Sequence, residues 1–255
     1  MARAARRCAP APGAQAEGIR SYVPRRMKLV ITNDDGIDEP GIAVLAEVCS
    51  RFGETTVVAP AAPRSAISHQ VTEAGAIGVE QRRPGWFAID GTPADCTRLA
   101  VRELCRDADW VVAGINAGAN LGVDVYVSGT IAAVREAAIQ GVRAVALSQH
   151  FRRHGRVDWE GSGRRAALVL HEVLQRETAV GEYWSANLPD PLPGRPADEI
   201  VECELDTSPG AVGYERVGSG FRWRADYHDR PRRPESDVDT CFGGRIALTR
   251  LRLGG

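Results

Sequence analysis

Short runs of consecutive apolar residues alternate along the chain with stretches in which apolar residues recur at the spacing of a helix. The apolar runs predict buried strands at residues 29–32, 55–60, 110–114 and 144–147. The helical spacing predicts helices at residues 40–52, 93–105, 130–140 and 162–176. Continuous apolar strands are typical of parallel sheets that are covered on both faces. The pattern therefore predicts an α/β fold with a Rossmann-like, doubly wound and mostly parallel sheet.

Two other parts of the chain have a different pattern. Residues 71–89 are punctuated by glycine and partly alternating, which favours a β-hairpin or an excursion at the sheet edge. Residues 187–196 contain four prolines, and strand-like segments follow at residues 199–205, 221–227 and 245–251. We expect residues 187–255 to form a β-rich carboxy-terminal extension that serves oligomerisation or covers a site.

The composition of the 255 residues is that of a globular protein, with 44% hydrophobic and 25% charged residues. Residues 27–255 are enough for one large domain, and no uninterrupted apolar run is long enough to cross a bilayer. Residues 1–26 differ from the rest, because they hold six arginines and a single acid without an apolar pattern. We interpret them as a disordered tail, a weak transit-like segment or translation from an upstream start codon, with Met27 as the natural start.

Charge and residue usage narrow the function classes. The net charge of −1 includes the basic amino-terminal segment, so the rest of the chain is acidic, which argues against binding to a nucleic-acid duplex. The six cysteines form no CxxC pair, so neither a zinc cluster nor a disulfide framework is indicated, and a cytoplasmic location is expected. The single lysine, Lys28, lies in the first predicted strand, which argues against a P-loop NTPase and a receiver domain.

Polar residues follow the ends of the predicted strands, where open parallel sheets bind ligands. Asp34 and Asp35 follow the first strand, and adjacent carboxylates repel each other unless a divalent cation neutralises them. Ser65 and Asn116 follow two other strands and offer neutral oxygens to the same cation. The alternative for the acidic pair is a turn with solvated carboxylates.

A second group of residues favours anion binding. Ser128, Gly129 and Thr130 place hydroxyls and free backbone N–H groups at the start of a predicted helix, although an ordinary helix cap has the same residues. Glycines in residues 114–122 let the backbone approach a ligand, with Asn116 and Asn120 beside it.

Taken together, these motifs strongly resemble the SurE survival-protein family. The resemblance covers residues 27–147, with a looser similarity at residues 187–189 and 237–239. The motifs that carry it are Ile31 to Ile37 with Pro40 and Gly41, Val57 to Pro60, Arg64 to Ala66, Gly91 to Cys96, Gly114 to Asn120, and Ser128 to Thr130.

The resemblance implies a divalent-metal-dependent phosphomonoesterase that hydrolyses nucleoside 5′- and 3′-monophosphates to nucleoside and phosphate, and that also trims short-chain polyphosphate. It assigns one Mg²⁺ or Mn²⁺ per subunit to Asp34, Asp35, Ser65 and Asn116. It assigns phosphate binding to Asn120, Ser128, Gly129 and Thr130, and catalysis to Asp34, Asp35 and Asn120. It also implies a homodimer or homotetramer in which the carboxy-terminal extension is exchanged between subunits.

Some residues leave alternatives open. Ala66 stands where many family members have glycine. His69 is either a proton donor near the site or an isolated histidine without such a role, and residues 151–157 are either an arginine-rich cover of the substrate or a solvated loop. A nucleotide- or phosphate-sensing protein without turnover is the alternative function, and an oligomeric scaffold is a third.

Overall fold

The computed structural model describes residues 26–151, 156–210, 212–224 and 227–254. The predicted tail, apart from Arg26, and residues 152–155 of the arginine-rich segment lie outside the described residues. The strands are β1 (Met27–Thr32), β2 (Gly53–Pro60), β3 (Val79–Arg83), β4 (Trp86–Ile89), β5 (Trp110–Ala117), β6 (Arg143–Gln149), β7 (Glu182–Leu188), β8 (Ile200–Glu202), β9 (Tyr214–Val217), β10 (Gly220–Trp223) and β11 (Ile246–Arg252). The α-helices are α1 (Pro40–Ser50), α2 (Pro93–Leu99), α3 (Gly129–Ile139), α4 (Trp159–Val173) and α5 (Asp237–Phe242).

Nine of these strands form one sheet in the order β3-β4-β2-β1-β5-β6-β7-β11-β8. The central six strands, from β4 to β7, are parallel. At the two ends, β3 is antiparallel to β4 and β11 is antiparallel to β7. The predicted α/β class with a mostly parallel sheet is therefore confirmed.

Both faces of the sheet are covered, which explains the continuous apolar strands. Along β1, Leu29 and Ile31 pack into the layer formed with α1 and α4, whereas Val30 packs into the layer formed with α2 and α3. Because successive side chains of a strand point to opposite faces, a strand between two layers needs apolar residues at every position.

The predicted hairpin within residues 71–89 is present as β3 and β4. The predicted helix 93–105 is shorter than expected, since α2 ends at Leu99 and a π-helical turn follows over Ala100–Leu104. The strand β7 was not predicted, because Ser185 and Asn187 interrupt its apolar run although both are buried. The helix α5 was also not predicted, since its six residues are too short for a helical pattern.

The carboxy-terminal part divides between two sheets. Strands β8 and β11 belong to the main sheet, whereas β9 and β10 pair with each other in a separate two-stranded sheet and expose Tyr214, Phe221 and Trp223. The predicted strand at residues 221–227 is thus the second half of a short ribbon that ends at Trp223. Among the described residues, no helix combines the length and apolar character needed to cross a membrane.

Candidate metal and phosphate site

Four segments meet at the carboxyl edge of the parallel strands. They are the turn after β1 with Asp34 and Asp35, the loop after β2 with Ser65, the end of β5 with the residues that follow it, and the first turn of α3. Strands β1, β2 and β5 run parallel as neighbours, so their carboxyl ends lie side by side. This is the edge at which open α/β sheets bind ligands.

Asp34 lies at the centre of these contacts. Its side chain is buried, and Oδ1 accepts a hydrogen bond from Thr130 Oγ1 at 2.5 Å. Its backbone carbonyl accepts a hydrogen bond from the Arg64 N–H at 2.7 Å, which ties the loop after β2 to the turn after β1. The predicted metal residue and the predicted phosphate helix are therefore in direct contact.

Gly129 permits the close approach of α3 to Asp34. A Cβ at this position would lie 2.8 Å from Asp34 Cβ and 3.2 Å from the Arg64 carbonyl oxygen. Real Cβ atoms essentially never come within 3.0 Å of another heavy atom, so the contact with Asp34 Cβ means that any larger residue would displace either the helix or the carboxylate. Steric crowding thus explains why the middle residue of the Ser-Gly-Thr motif is glycine.

Asp35 contacts the end of β5. It is half-buried, and its Oδ2 accepts a hydrogen bond from the Ala117 N–H at 3.1 Å. The turn that presents both acids is closed by Asn33, whose side chain bonds Gly36 through its amide at 2.7 Å and its carbonyl at 3.2 Å. Gly36 has a φ of +118°, a backbone conformation that favours glycine.

Both carboxyl groups resist ionisation in the absence of a cation. Burial raises the pKa of Asp34 to about 6, with a further upward contribution from the charge of Asp35 and a downward one from the Thr130 hydrogen bond. Burial also raises the pKa of Asp35. A buried carboxylate with a half-buried one as its neighbour therefore favours a positive charge close to both.

The loop with Ser65 is exposed and irregular. Ala66 and Ser68 have φ values of 55° and 56°, in the left-handed region that glycine adopts most readily. This explains why glycine is suited to the position of Ala66. The loop contacts the segment before α3, because Ser68 donates from its N–H to the Val127 carbonyl at 3.0 Å and from Oγ to the Tyr126 carbonyl at 2.8 Å.

The two asparagines after β5 differ in their surroundings. The Asn116 amide donates to the Gly118 carbonyl at 2.7 Å, which shapes the glycine-rich loop. Asn120 is buried, and its side-chain amide donates to Ser148 Oγ at 2.7 Å. Its backbone exchanges two hydrogen bonds with the side chain of Asn187, at 2.8 and 3.0 Å.

The sequence did not point to Ser148, and it included Asn187 only in a loose similarity. Both lie near the carboxyl ends of neighbouring strands, β6 and β7. Its position at a predicted strand end is the signal by which Ser148 could have been found. With β7 unpredicted, the strand-end position of Asn187 could not be seen.

Ser128 caps α3. Its Oγ accepts a hydrogen bond from the Ile131 N–H at 3.1 Å, so the side chain of Ser128 acts as a helix cap. The first turn of α3 lies against Asp34, and both the hydroxyl and the backbone N–H of Thr130 lower the pKa of that carboxyl. The cap therefore does not exclude an anion site built from backbone groups.

The donor set fits a hard divalent cation. No group of three or more His, Cys, Asp or Glu side chains suited to a metal occurs among the described residues. A site here would combine the carboxylates of Asp34 and Asp35 with the neutral oxygens of Ser65 and Asn116, and Mg²⁺ and Mn²⁺ prefer such oxygen ligands. The raised pKa values of the two acids agree with this donor set. Fold and site together define an α/β protein with an acidic site next to a helix amino terminus.

Comparison with known proteins identifies the family. The family model described as Survival protein SurE matches residues 29–209. A protein from Synechocystis sp., provisionally named a 5′-nucleotidase, is 45% identical over 227 residues, covering 89% of this chain and 100% of the relative. A protein named 5′-nucleotidase SurE from Geobacter sulfurreducens is 40% identical over 237 residues, covering 89% of this chain and 88% of the relative. The crystal structure of the SurE protein from Aquifex aeolicus matches with a TM-score of 0.77 and 26% identity, over 89% of this chain and 94% of that chain. The chain belongs to the SurE family, as the motifs predicted.

Proposed function

We propose that this protein is a divalent-metal-dependent phosphomonoesterase that hydrolyses nucleoside 5′- and 3′-monophosphates to nucleoside and phosphate. The observation that carries the proposal is the contact between the buried carboxylate of Asp34 and the first turn of α3. This contact places a candidate cation site beside a candidate phosphate site. Relatives named 5′-nucleotidase support the same class of reaction.

Asp34, Asp35, Ser65 and Asn116 would hold one Mg²⁺ or Mn²⁺ per subunit. When bound, the ion supplies positive charge to the phosphate and makes a water molecule more acidic. Burial raises the pKa of the Asp34 carboxyl, so a bound cation would also favour its ionised form. Either Asp34 or Asp35 would receive the proton of the water that attacks the phosphate.

Backbone N–H groups at Gly129 and Thr130 would bind the phosphate oxygens, with Ser128 holding the helix start in place. Preorganised donors of this kind stabilise the charge that builds up on phosphate oxygens during transfer. Asn120 would also bind the phosphate, and its bonds to Ser148 and Asn187 hold it in place.

The same site would accept the terminal phosphate of short polyphosphate, which offers the same oxygens without a base. We further propose a cytoplasmic homodimer or homotetramer. The exposed side chains of Tyr214, Phe221 and Trp223 on the ribbon of β9 and β10 support a role of the extension between subunits.

The test is phosphate release from a panel of substrates by protein that starts at Met27. The panel holds 5′- and 3′-mononucleotides and tripolyphosphate, each with Mn²⁺, with Mg²⁺ and with excess EDTA. We expect release that requires the metal and is lost with EDTA. Metal-dependent nucleotide binding without any release would instead identify a sensor and contradict the proposal.

A further inference from the structure

A histidine of the Ser65 loop is bonded to a buried acid on α3. His69 Nε2 lies 2.8 Å from Glu136 Oε2, and the His69 side chain is only 21% exposed, whereas that of Glu136 is fully buried. The other carboxylate oxygen, Oε1, accepts hydrogen bonds from Arg98 Nε at 2.7 Å and Gln140 Nε2 at 2.6 Å. Glu136 therefore has partners on both oxygens.

Glu136 stays ionised in this setting. Burial raises its pKa, but the hydrogen bonds from His69, Arg98 and Gln140 outweigh burial and lower the pKa to about 2. An ionised carboxylate only accepts hydrogen bonds, so His69 must donate its Nε2 proton to Glu136. The bond thereby fixes which ring nitrogen faces Glu136 and fixes the orientation of the ring.

The loop that carries His69 depends on contacts of this kind. Residues 61–70 form no helix or strand. Ala66 and Ser68 have left-handed backbone conformations, each of which costs of order 1 kcal/mol. The conformation persists only if surrounding contacts hold it. Those contacts include Arg64 N–H to Asp34, the two bonds of Ser68 and the bond of His69 to α3.

The bond between His69 and Glu136 completes a closed set of contacts around the site. Helix α3 meets Asp34 through Thr130 at its start and meets the loop through Glu136 further along. The loop in turn bonds the Asp34 backbone through Arg64. One helix therefore sets the position of both the carboxylate and the Ser65 loop.

We propose that His69 is a positioning residue, which anchors the Ser65 loop to Glu136 and so holds Ser65 at the cation site beside Asp34 and Asp35. This inference rests on the proposed function. A positioning role for His69 differs from a role in proton transfer. Glu136, which bonds the ring, lies six residues beyond Thr130 on α3, a rise of about 9 Å along the helix axis.

The experiment compares two amides at position 69. The amide nitrogen of glutamine is placed like Nε2 of histidine and can donate to Glu136, whereas the shorter asparagine cannot reach it. We therefore use His69→Gln, His69→Asn and His69→Ala, with His171→Ala as a control for loss of an exposed histidine on α4.

Two readouts are needed. Hydrogen exchange at the Ser68 amide, measured without metal, reports the anchoring of the loop, because that amide bonds the Val127 carbonyl. Calorimetric titration with Mn²⁺ alone reports the cation site. We expect His69→Ala and His69→Asn to speed exchange at Ser68 and to weaken Mn²⁺ binding by about 10- to 100-fold, the usual effect of losing a group that orients a metal ligand. His69→Gln and His171→Ala are expected to stay close to wild type in both readouts.

Unchanged Ser68 exchange or unchanged Mn²⁺ affinity in both His69→Ala and His69→Asn would overturn the inference. A second contrary result is a kcat for AMP that falls equally in His69→Gln and His69→Ala while p-nitrophenyl phosphate, with its better leaving group, is spared. That pattern would assign His69 to proton donation. If wild-type protein binds no Mn²⁺ at all, the proposed function fails and the inference fails with it, whatever the exchange rates show.

Discussion

The hydroxyl of Thr130 provides a sharp test of how the site is built. Thr130 is fully buried and donates to Asp34 Oδ1 at 2.5 Å. Thr130→Val keeps the shape of the side chain and removes the donor. A hydrogen bond to a charged group is worth about 1.5–3 kcal/mol, which corresponds to about a 10- to 150-fold change in an equilibrium constant. Because burial already disfavours the ionised form of Asp34, the loss of this bond acts directly on the carboxylate that the cation needs.

We therefore expect Thr130→Val to lower kcat/KM for AMP by about 10- to 150-fold at neutral pH and to weaken Mn²⁺ binding in the same direction. Thr130→Ser retains the hydroxyl and should keep most of the activity. The assay is phosphate release over a Mn²⁺ titration, with thermal unfolding to verify that each variant is folded. Wild-type kcat/KM in a folded Thr130→Val protein would refute the reasoning.

Three further predictions concern Gly129, Asn187 and Asp206. Gly129→Ala forces a Cβ to within 2.8 Å of Asp34 Cβ, so we expect a lower Tm, a destabilisation of about 1–3 kcal/mol and loss of phosphate release. Asn187→Ala leaves the buried N–H and carbonyl of Asn120 without these partners, and urea unfolding should show a loss of about 1–3 kcal/mol for each. Hydrogen bonds from Ser208, Arg233 and Ser236 outweigh burial and hold the pKa of Asp206 at about 2, below its ordinary value of 3.8. The ionised Asp206 carboxylate therefore stabilises the fold above pH 4, and about 2 kcal/mol of this stability is lost as the pH falls through 2. In urea unfolding between pH 5 and 2, the free energy of unfolding should fall less steeply with pH in Asp206→Asn than in the wild type. An equal slope in the two proteins would contradict the assignment.

The parts of the fold that could be predicted are those in which every residue of a segment is buried in an apolar core. The run from Leu29 to Ile31 is apolar at every position because each residue enters one of two cores. Strand β7 escaped prediction because Asn187 is buried for a different reason, its bonds to the Asn120 backbone. The sequence around a polar residue in a strand does not show whether that residue faces solvent or bonds a buried partner.

The candidate site also combines residues that the sequence predicts with contacts that it does not predict. Asp34, Asp35 and the Ser128 to Thr130 turn could be chosen from the sequence, because strand ends and helix starts are local features. The bond between Asp34 and Thr130 joins residues that are 96 positions apart, and the bond between His69 and Glu136 spans 67 positions. Such pairs depend on the order of strands in the sheet, which the sequence pattern alone does not specify.

The central claim, that Asp34 belongs to a metal-dependent phosphate site, is tested most directly by phosphate release from AMP in three proteins. They are the wild type, Asp34→Asn and Asp107→Asn, the last a matched change at the opposite edge of the sheet, where Asp107 bonds Lys28 at the start of β1. With Mn²⁺ we predict activity in wild type and Asp107→Asn, loss of about 100-fold or more in Asp34→Asn, and no activity in any protein after excess EDTA. Near-wild-type turnover by Asp34→Asn, or turnover that survives EDTA, would contradict the account.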